Sequence, residues 1–566
     1  MIADTRIRAL IVSDFNAQNL AGYLHNSRES PAVGAEVAPF GQVMQALTDF
    51  TMPCWETDPQ VVVVWTRPQA VLATMRGLLE NARPKVQDLL PEVDAFTRAV
   101  RGVSQRARLV LVPTWTLPSY ERGLGMIDLK SEHGLSYQLM RANLRLTDNL
   151  AAVQNAFVLD AERWIAQAGS EHAHNPKLWY MGKIGFGNDV FKQAVHDILA
   201  AIRGAGGGAR KLLVLDLDDT LWGGIVGDTG WEGIRLGGHD PIGESFGDFQ
   251  AALKGLKNRG VLLGIVSKND ENLALEAIRR HPEMVLRLDD FSGWRISWED
   301  KAANLRSLVA ELNLGLQSTV FIDDNPIERS RIRAALPEVM VPEWPEDKLL
   351  YRQVLQSLTC FDAPAITEED LGRTRLYAAQ RERAAARDEA QSFDDWLRSL
   401  ETKVVVERVS AANLPRTAQL LNKTNQMNLS TRRMTEKELL AWSEAASHRV
   451  WAFRVQDKFG DSGLTGIASI QLDGEKGTIV DFVLSCRVMG RRVEEAMLNF
   501  LGDAAGKMGA RQLGATYIPT SKNKVCLAFW QERSGFEAEA DGRTFQRNLA
   551  KPLPAPEGIL LVGAEA

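Results

Sequence analysis

The run Lys211-Leu-Leu-Val-Leu-Asp216-Leu-Asp218-Asp219-Thr220-Leu-Trp-Gly-Gly constrains this chain more than any other stretch, because an apolar strand here ends on carboxylates at i and i+2. Residues two apart on a strand share a face, and an open α/β sheet places its ligand chemistry at the carboxyl ends of its strands. Later segments add to the same edge. Ser267 closes Val261-Leu-Leu-Gly-Ile-Val266, Lys301 follows Trp298-Glu-Asp, and Asp323-Asp324 close Ser318-Thr-Val-Phe-Ile322. Asp216 is suited to attack phosphorus and carry it as an aspartyl phosphate, while Asp218 protonates the leaving oxygen and later activates water. A phosphate beside two carboxylates also needs donors and positive charge. Ser267 offers a hydroxyl, Lys301 an ammonium, and Asp323 and Asp324 with Asp216 the oxygen ligands of a hard cation such as Mg²⁺. Strand-end Asp and Ser taken singly are ordinary helix caps and turn formers; the ordered set, each behind its own strand, is what points to a site.

In order and spacing, Asp216/Asp218, Ser267, Lys301 and Asp323/Asp324 resemble the four motifs of the haloacid dehalogenase (HAD) superfamily. The resemblance implies a Rossmannoid domain in which Ser267, Lys268 and Lys301 bind phosphate, and Asp216, Asp218, Asp323 and Asp324 form the metal set. About fifty residues separate Asp216 from Ser267 and about thirty-five separate Ser267 from Lys301, too few at either point for an inserted lid domain. The site is therefore expected to be open, with a larger partner or another domain excluding water. The stretch Trp222-Gly-Gly-Ile-Val-Gly-Asp-Thr-Gly230 reads either as a flap beside Asp216 or as a hairpin permitted by glycine.

Around this block, 566 residues allow about three or four domains, and 45% hydrophobic content suffices for ordinary cores. Residues 1–203 alternate apolar strands (Ile7 to Val12, Val61 to Trp65, Arg108 to Val112, Phe157 to Asp160) with amphipathic stretches, which predicts a flavodoxin-like parallel α/β sheet. Gly204 to Arg210 reads as a flexible linker. The catalytic α/β domain spans 211–360, a charged helical connector 368–400, and an α+β domain 401–552. A net charge of −6 with dispersed Lys and Arg carries no nucleic-acid footprint. Cys54, Cys360, Cys486 and Cys526 are too few and scattered for a disulfide framework or zinc site, and no stretch approaches the ~20 apolar residues of a membrane span. A cytoplasmic location is expected.

In the last block, Lys403 to Glu407, Val450 to Val455, and the pair Leu464 to Leu472 and Thr478 to Cys486 around Asp473-Gly-Glu-Lys-Gly477 predict antiparallel strands, with a helix from Arg492 to Lys507. Between strand and helix lies Cys486-Arg487-Val-Met-Gly490-Arg491-Arg492, a turn whose N–H groups are placed to hold a phosphate. It resembles the pantetheine-binding turn of the GNAT acyltransferases, matched at Arg487 and Gly490, with Arg492 where that family usually has a small residue. The segment Ser521-Lys-Asn523 to Trp530 is similar to a later motif of the same family. Cys486, at a helix N-terminus beside Arg487, is a candidate nucleophile toward an activated acyl carbonyl; a buried strand-end cysteine is the alternative.

Together, Leu215-Asp-Leu-Asp-Asp-Thr-Leu-Trp-Gly-Gly, Ile265-Val-Ser-Lys-Asn269, Phe321-Ile-Asp-Asp-Asn-Pro-Ile-Glu-Arg329, Asn422-Lys-Thr-Asn-Gln-Met-Asn428, Asp457-Lys-Phe-Gly-Asp461 and Ser485-Cys-Arg-Val-Met-Gly-Arg491 resemble the FkbH-like family over Lys211 to Leu549. That resemblance implies loading of a glyceryl group from 1,3-bisphosphoglycerate onto the phosphopantetheine of an acyl carrier protein, with removal of phosphate, as in polyketide extender-unit supply. Asn422, Asn425, Gln426 and Asn428, with Arg487, Gly490 and Asn523, would then contact the acyl group or pantetheine arm. A capped turn before Thr435 is the alternative reading of the asparagines. The first block resembles the SGNH-hydrolase-like modules found ahead of some FkbH-like domains. In Ile11-Val-Ser13-Asp14-Phe15-Asn16, Phe15 stands at the nucleophile position, so hydrolysis is not expected unless Ser13 and His174 substitute. Two further classes stay open: a HAD phosphatase whose last domain uses acyl-CoA independently, as in surface-glycan assembly, and a non-catalytic carrier-docking scaffold.

Overall fold

The computed structural model describes residues 6–366, 379, 380, 382, 383, 386, 387, 389–424, 426–520 and 522–563. The part of the expected connector before Ala379, together with Asn425 and Ser521, lies outside the described residues. Two compact units form. One comprises Met1–Gly255, Ile265–Leu286 and Arg295–Ile366, and the other Leu256–Gly264, Arg287–Trp294 and Thr367–Ala566.

The first unit opens with a sheet of β1 (Ile7–Ser13), β2 (Val33–Val37), β3 (Val61–Trp65), β4 (Leu109–Pro113) and β5 (Ala156–Leu159), paired in parallel in the order β2-β1-β3-β4-β5. This is the flavodoxin-like order. Strand β3 is Val-rich and buried throughout because helices cover both faces of a parallel sheet. Val62 and Val64 enter one core with Leu10 and Val12; Val61, Val63 and Trp65 enter the other with Ile11. Phe15 belongs to the second core, 1% exposed, edge-on to Trp65 and Phe186 at 5.5 and 5.2 Å between ring centroids. Strand β2, Val-Gly-Ala-Glu-Val, carries no apolar run because it is an edge strand with a partly exposed face.

The stretch read as a flexible linker is ordered. Helix Asn188–Ala205 runs into it, Gly207 adopts φ 76°, and Gly208 N–H donates to Arg203 C=O at 2.9 Å, forming a helix C-terminal turn. Arg210 N–H donates to Cys360 C=O at 2.8 Å, and Arg203 reaches Thr359 Oγ1 at 3.2 Å, tying the first sheet's last helix to the next domain. Glycine here supplies a left-handed turn rather than slack.

That next domain has a sheet of β6 (Leu212–Leu215), β7 (Leu262–Ser267), β8 (Phe291–Ile296) and β9 (Thr319–Ile322) in the order β8-β7-β6-β9, with β6 and β9 parallel. Only helices Val226–Gly233 and Pro241–Asn258 lie between β6 and β7, so no cap domain is inserted there.

The second unit is α+β, as the GNAT resemblance implies. Its strands are β10 (Thr402–Arg408), β11 (Met427–Asn428), β12 (His448–Asp457), β13 (Gly460–Asp473), β14 (Lys476–Leu484), β15 (Gln512–Thr516), β16 (Glu537–Ala538), β17 (Thr544–Asn548) and β18 (Ile559–Gly563). They follow the order β16-β17-β15-β14-β13-β12-β10-β18, with β11 on β14. The β12–β13 and β13–β14 pairs are antiparallel, and β14–β15 is parallel. Gly474, at φ 58°, turns β13 into β14 through a two-residue loop. Among the described residues, no helix is long and apolar enough to cross a membrane.

Replacing Phe15 by Ala removes the ring on which Trp65 and Phe186 pack. We expect about 3–5 kcal/mol of destabilisation, read as a lower denaturant midpoint for the first unit.

Candidate active site

The β6–β9 register pairs Leu215 with Ile322, so the next residue of each strand, Asp216 and Asp323, emerges at the same sheet edge. Asp216 N–H donates to Ile322 C=O at 3.0 Å and locks that alignment. Two buried carboxylates side by side repel, and a cation has to answer them. Lys301, first residue of helix Lys301–Glu311 and only 4% exposed, places Nζ 2.8 Å from Asp216 Oδ2 and 2.6 Å from Asp323 Oδ2. Burial pulls the Lys301 pKa down, but the two carboxylates overrule it and hold it above its usual value. Burial, then the charge of Asp216, pushes Asp323 up to about 6.

Among the described residues, Asp216, Asp323 and Asp324 form an acidic group whose oxygens lie within 4.8 Å of one another, close enough to hold a metal ion. Asp216 Oδ1 is buried and, among the described residues, accepts no hydrogen bond, the condition of an oxygen left for a ligand from outside the chain. The donor set is all oxygen and suits a hard divalent cation. Burial also raises Asp324, against the pull of Lys348, whose Nζ lies 3.7 Å away.

Asp218 differs from the expectation that it joins the metal set. Its Oδ1 accepts from Trp222 Nε1 at 2.9 Å and Val226 N–H at 3.1 Å, and its Oδ2 from Asn269 Nδ2 at 2.7 Å. The carboxylate is thus aimed at fixed donors and lies outside the acidic group. Burial raises its pKa, with a further push from Asp216 against the pull of those donors. Alternation survives past the strand end: Leu217, between the two aspartates, is fully buried. Ser267 is 2% exposed at the end of β7, where its carbonyl accepts from Ser297 N–H. Lys268, expected at the phosphate, is instead paired with Glu328 at 2.7 Å. The glycine-rich stretch resolves into neither a long flap nor a free hairpin: Gly223 bridges Arg235, and a helix starts at Val226.

Further residues position the edge from outside the predicted site set, and two of them, Lys348 and Tyr351, lie in no motif of the sequence. Lys348 donates to Asp219 C=O at 2.9 Å and Tyr351 OH reaches the same oxygen at 3.2 Å, fixing Asp219 at φ 52°. Arg329 Nη1 donates to the carbonyls of Asp323 and Asp324 at 2.8 and 2.6 Å. Asn269 and Arg329 end recognisable motifs; Lys348 belongs to none.

In the second unit the expected acyl-binding asparagines are spent inside the fold. Asn422 brackets Met434, donating to its C=O at 2.7 Å and accepting its N–H at 3.0 Å. Asn428 spans Thr424 C=O and Thr431 N–H, and Asn523 joins the Asn428 and Ile518 carbonyls to Tyr517 and Thr520. Gln426 is exposed. Cys486 is exposed in the turn after β14, two residues beyond the strand end rather than inside it. Gly490, at φ 72°, donates its N–H to Glu494 Oε1 at 2.7 Å, so the donor expected to meet a phosphate already meets a carboxylate.

In the first unit, Ser13 Oγ accepts Phe15 N–H, and Asp14 is held by Arg67 through N–H and Nε at 2.7 and 2.8 Å. His174 lies against Phe186, 5.2 Å between ring centroids, its Nδ1 buried without a partner; burial lowers its pKa to about 4. Among the described residues, no carboxylate is hydrogen-bonded to that nitrogen, where the orienting aspartate of a triad base would sit.

No protein-family model matches the chain, and no curated protein matches it. Among solved structures, the chain is similar to the N-terminal part of the protein BF1531 from Bacteroides fragilis, which contains a phosphatase domain and was solved complexed with Mg. The two are 30% identical over 64% of this chain and 95% of that one, with a TM-score of 0.57. Ribosomal-protein-S18-alanine N-acetyltransferase from Escherichia coli matches 27% of this chain and 97% of its own, at 16% identity and a TM-score of 0.20. The PaiA N-acetyltransferase from Thermoplasma acidophilum, in complex with coenzyme A, matches 26% and 98% at 15% identity and a TM-score of 0.21.

Lys301→Met leaves the buried pair uncompensated, and we expect about 3–5 kcal/mol of destabilisation at neutral pH. The folded pKa of Asp323 lies above its ordinary 3.8. Its contribution to stability is therefore present below about pH 4 and lost as pH rises through about 6. The deficit of the variant should narrow when denaturation is repeated at pH 5, since protonation relieves the repulsion that Lys301 no longer answers.

Proposed function

Because the chain belongs to the same family as the phosphatase-domain protein BF1531, we propose that its first unit removes phosphate through an aspartyl phosphate on Asp216. The observation that carries this reading is Lys301 bridging Asp216 and Asp323, 2.8 and 2.6 Å away, beside the unpartnered Asp216 Oδ1. Asp216 supplies the attacking carboxylate, and Lys301 pairs with it beside Asp323. Asp218, with its pKa raised and its orientation fixed by Trp222, Val226 and Asn269, gives its proton to the leaving oxygen and then takes one from water. Ser267 and Lys301 face the phosphoryl oxygens. Asp216, Asp323 and Asp324 would hold the Mg²⁺ seen in BF1531, which supplies positive charge opposite the incoming phosphate.

The second unit, in this reading, is an acyltransferase. Exposed Cys486 accepts an acyl group from an acyl phosphate, the carbonyl–oxygen bond breaking as phosphate leaves, and passes it to the thiol of a carrier protein. Glyceryl transfer from 1,3-bisphosphoglycerate to an acyl carrier protein in the cytoplasm uses both units, one for the acyl phosphate and one for the phosphate ester. Support for it comes from the FkbH-like motifs and from the uncapped phosphatase site, which leaves room for a carrier-borne substrate.

The test is intact-mass measurement of a purified acyl carrier protein incubated with the enzyme, Mg²⁺ and 1,3-bisphosphoglycerate. A glyceryl increment is expected that disappears with Cys486→Ala; persistence would remove Cys486 from the pathway. Asp216→Asn should lower phosphate release by at least 10³-fold while leaving Cys486 acylation detectable. Mg²⁺ affinity should rise about tenfold from pH 5 to 7 and flatten above that, as Asp323 loses its proton near 6; a flat titration would show that Asp323 is no ligand.

A further inference from the structure

The turn Cys486 to Arg492 is where a GNAT-like fold would take the phosphates of CoA, and the side chains around it do not fit that group. Glu494 sits in the first turn of helix Val493–Lys507, 1% exposed, with Oε1 on Gly490 N–H at 2.7 Å. Its Oε2 is buried and, among the described residues, accepts no hydrogen bond. A helix N-terminus and a glycine N–H attract anions, and here the chain's own carboxylate has taken both. Two of the turn's three arginines are committed to carboxylates as well. Arg491, 5% exposed, donates to Asp457 Oδ2 at 2.8 Å, an aspartate that Arg383 also grips at 2.6 and 2.9 Å. Arg492 pairs with Asp394 at 2.6 Å. Space exists nevertheless: a Cβ built on Gly490 would meet nothing within 4 Å.

We infer that Glu494 is a specificity-determining residue that excludes the phosphorylated nucleotide end of CoA, so that the second unit takes its thiol partner by the neutral pantetheine arm alone. As a carboxylate Glu494 repels a phosphate; as an acid it still occupies the donor a phosphate needs. A carrier protein suits this arrangement because its own surface, rather than a nucleotide, supplies the remaining recognition. The inference rests on the reading of the second unit as a pantetheine-thiol acyltransferase and names the thiol class it accepts.

Isothermal titration of the full chain with CoA and with pantetheine decides it. The wild type should bind CoA no more tightly than pantetheine. Glu494→Gln, which keeps the volume and an acceptor for Gly490 N–H but removes the charge, should gain at least tenfold for CoA and nothing for pantetheine. A tenfold preference of the wild type for CoA overturns the inference whether or not the variant folds. So does an unchanged CoA affinity in a Glu494→Gln protein whose circular dichroism matches the wild type. Carrier loading measured in parallel separates the two claims: loading together with CoA preference sinks only this inference, and absence of loading sinks the transferase reading while the CoA comparison still stands.

Discussion

The ion bridge Asp216–Lys301–Asp323 is the interaction on which the catalytic edge depends. Two unit charges about 4 Å apart differ by about 4 kcal/mol between attraction and no interaction at an effective dielectric near 20, more than a surface pair contributes. Register places both aspartates at one edge, burial makes their proximity costly, and the lysine converts that cost into a fixed geometry. The bridge is incomplete by design of charge. Three carboxylates, Asp216, Asp323 and Asp324, face the ammonium groups of Lys301 and Lys348, so negative charge remains for a divalent cation to answer. Hydrogen bonding finishes the alignment: Arg329 pins the Asp323 and Asp324 carbonyls, and Lys348 with Tyr351 pins Asp219.

Asp218 shows how one environment gives two aspartates different work. Asp216 faces a lysine and the acidic group, while Asp218 faces an indole, an amide and a backbone N–H. Neutral donors orient a carboxyl without neutralising it, so burial and the neighbouring charge can raise its affinity for a proton. That separation suits a nucleophile and an acid/base group two residues apart.

Comparable logic governs the second unit with the opposite result. Its strand-to-helix turn has the backbone of an anion site, yet Glu494 fills the donor, and Asp457 and Asp394 hold Arg491 and Arg492. Electrostatics in a buried turn depend on every group that reaches it, including Arg383 and Asp457, far from the turn in sequence. The asparagines Asn422, Asn428 and Asn523 make the same point. Polar residues dense in a short motif look like ligand contacts, but here they satisfy loop backbone that would otherwise be buried unpaired.

Much of the catalytic edge was legible from residues 211–324 because strand alternation and apolar runs are local properties: Asp216, Ser267, Lys301 and Asp323 each follow the end of their own run. Edge strand β2 was not legible, since an edge needs no continuous apolar pattern, and Gly204 to Gly208 looked slack because glycine content does not reveal that its N–H groups are spoken for. By itself, the sequence determined an α/β chain with several sheets, a strand edge without an inserted cap after Asp216 and the identity of that edge's acidic and basic groups. Only the tertiary structure decided that Lys268 turns to Glu328, that the Asp218 carboxylate is held by Trp222, Val226 and Asn269, that Lys348 reaches Asp219 and that Glu494 takes the Gly490 N–H. Those outcomes depend on which of several possible partners a side chain reaches, and distance between residues remote in sequence exists only once the chain has packed.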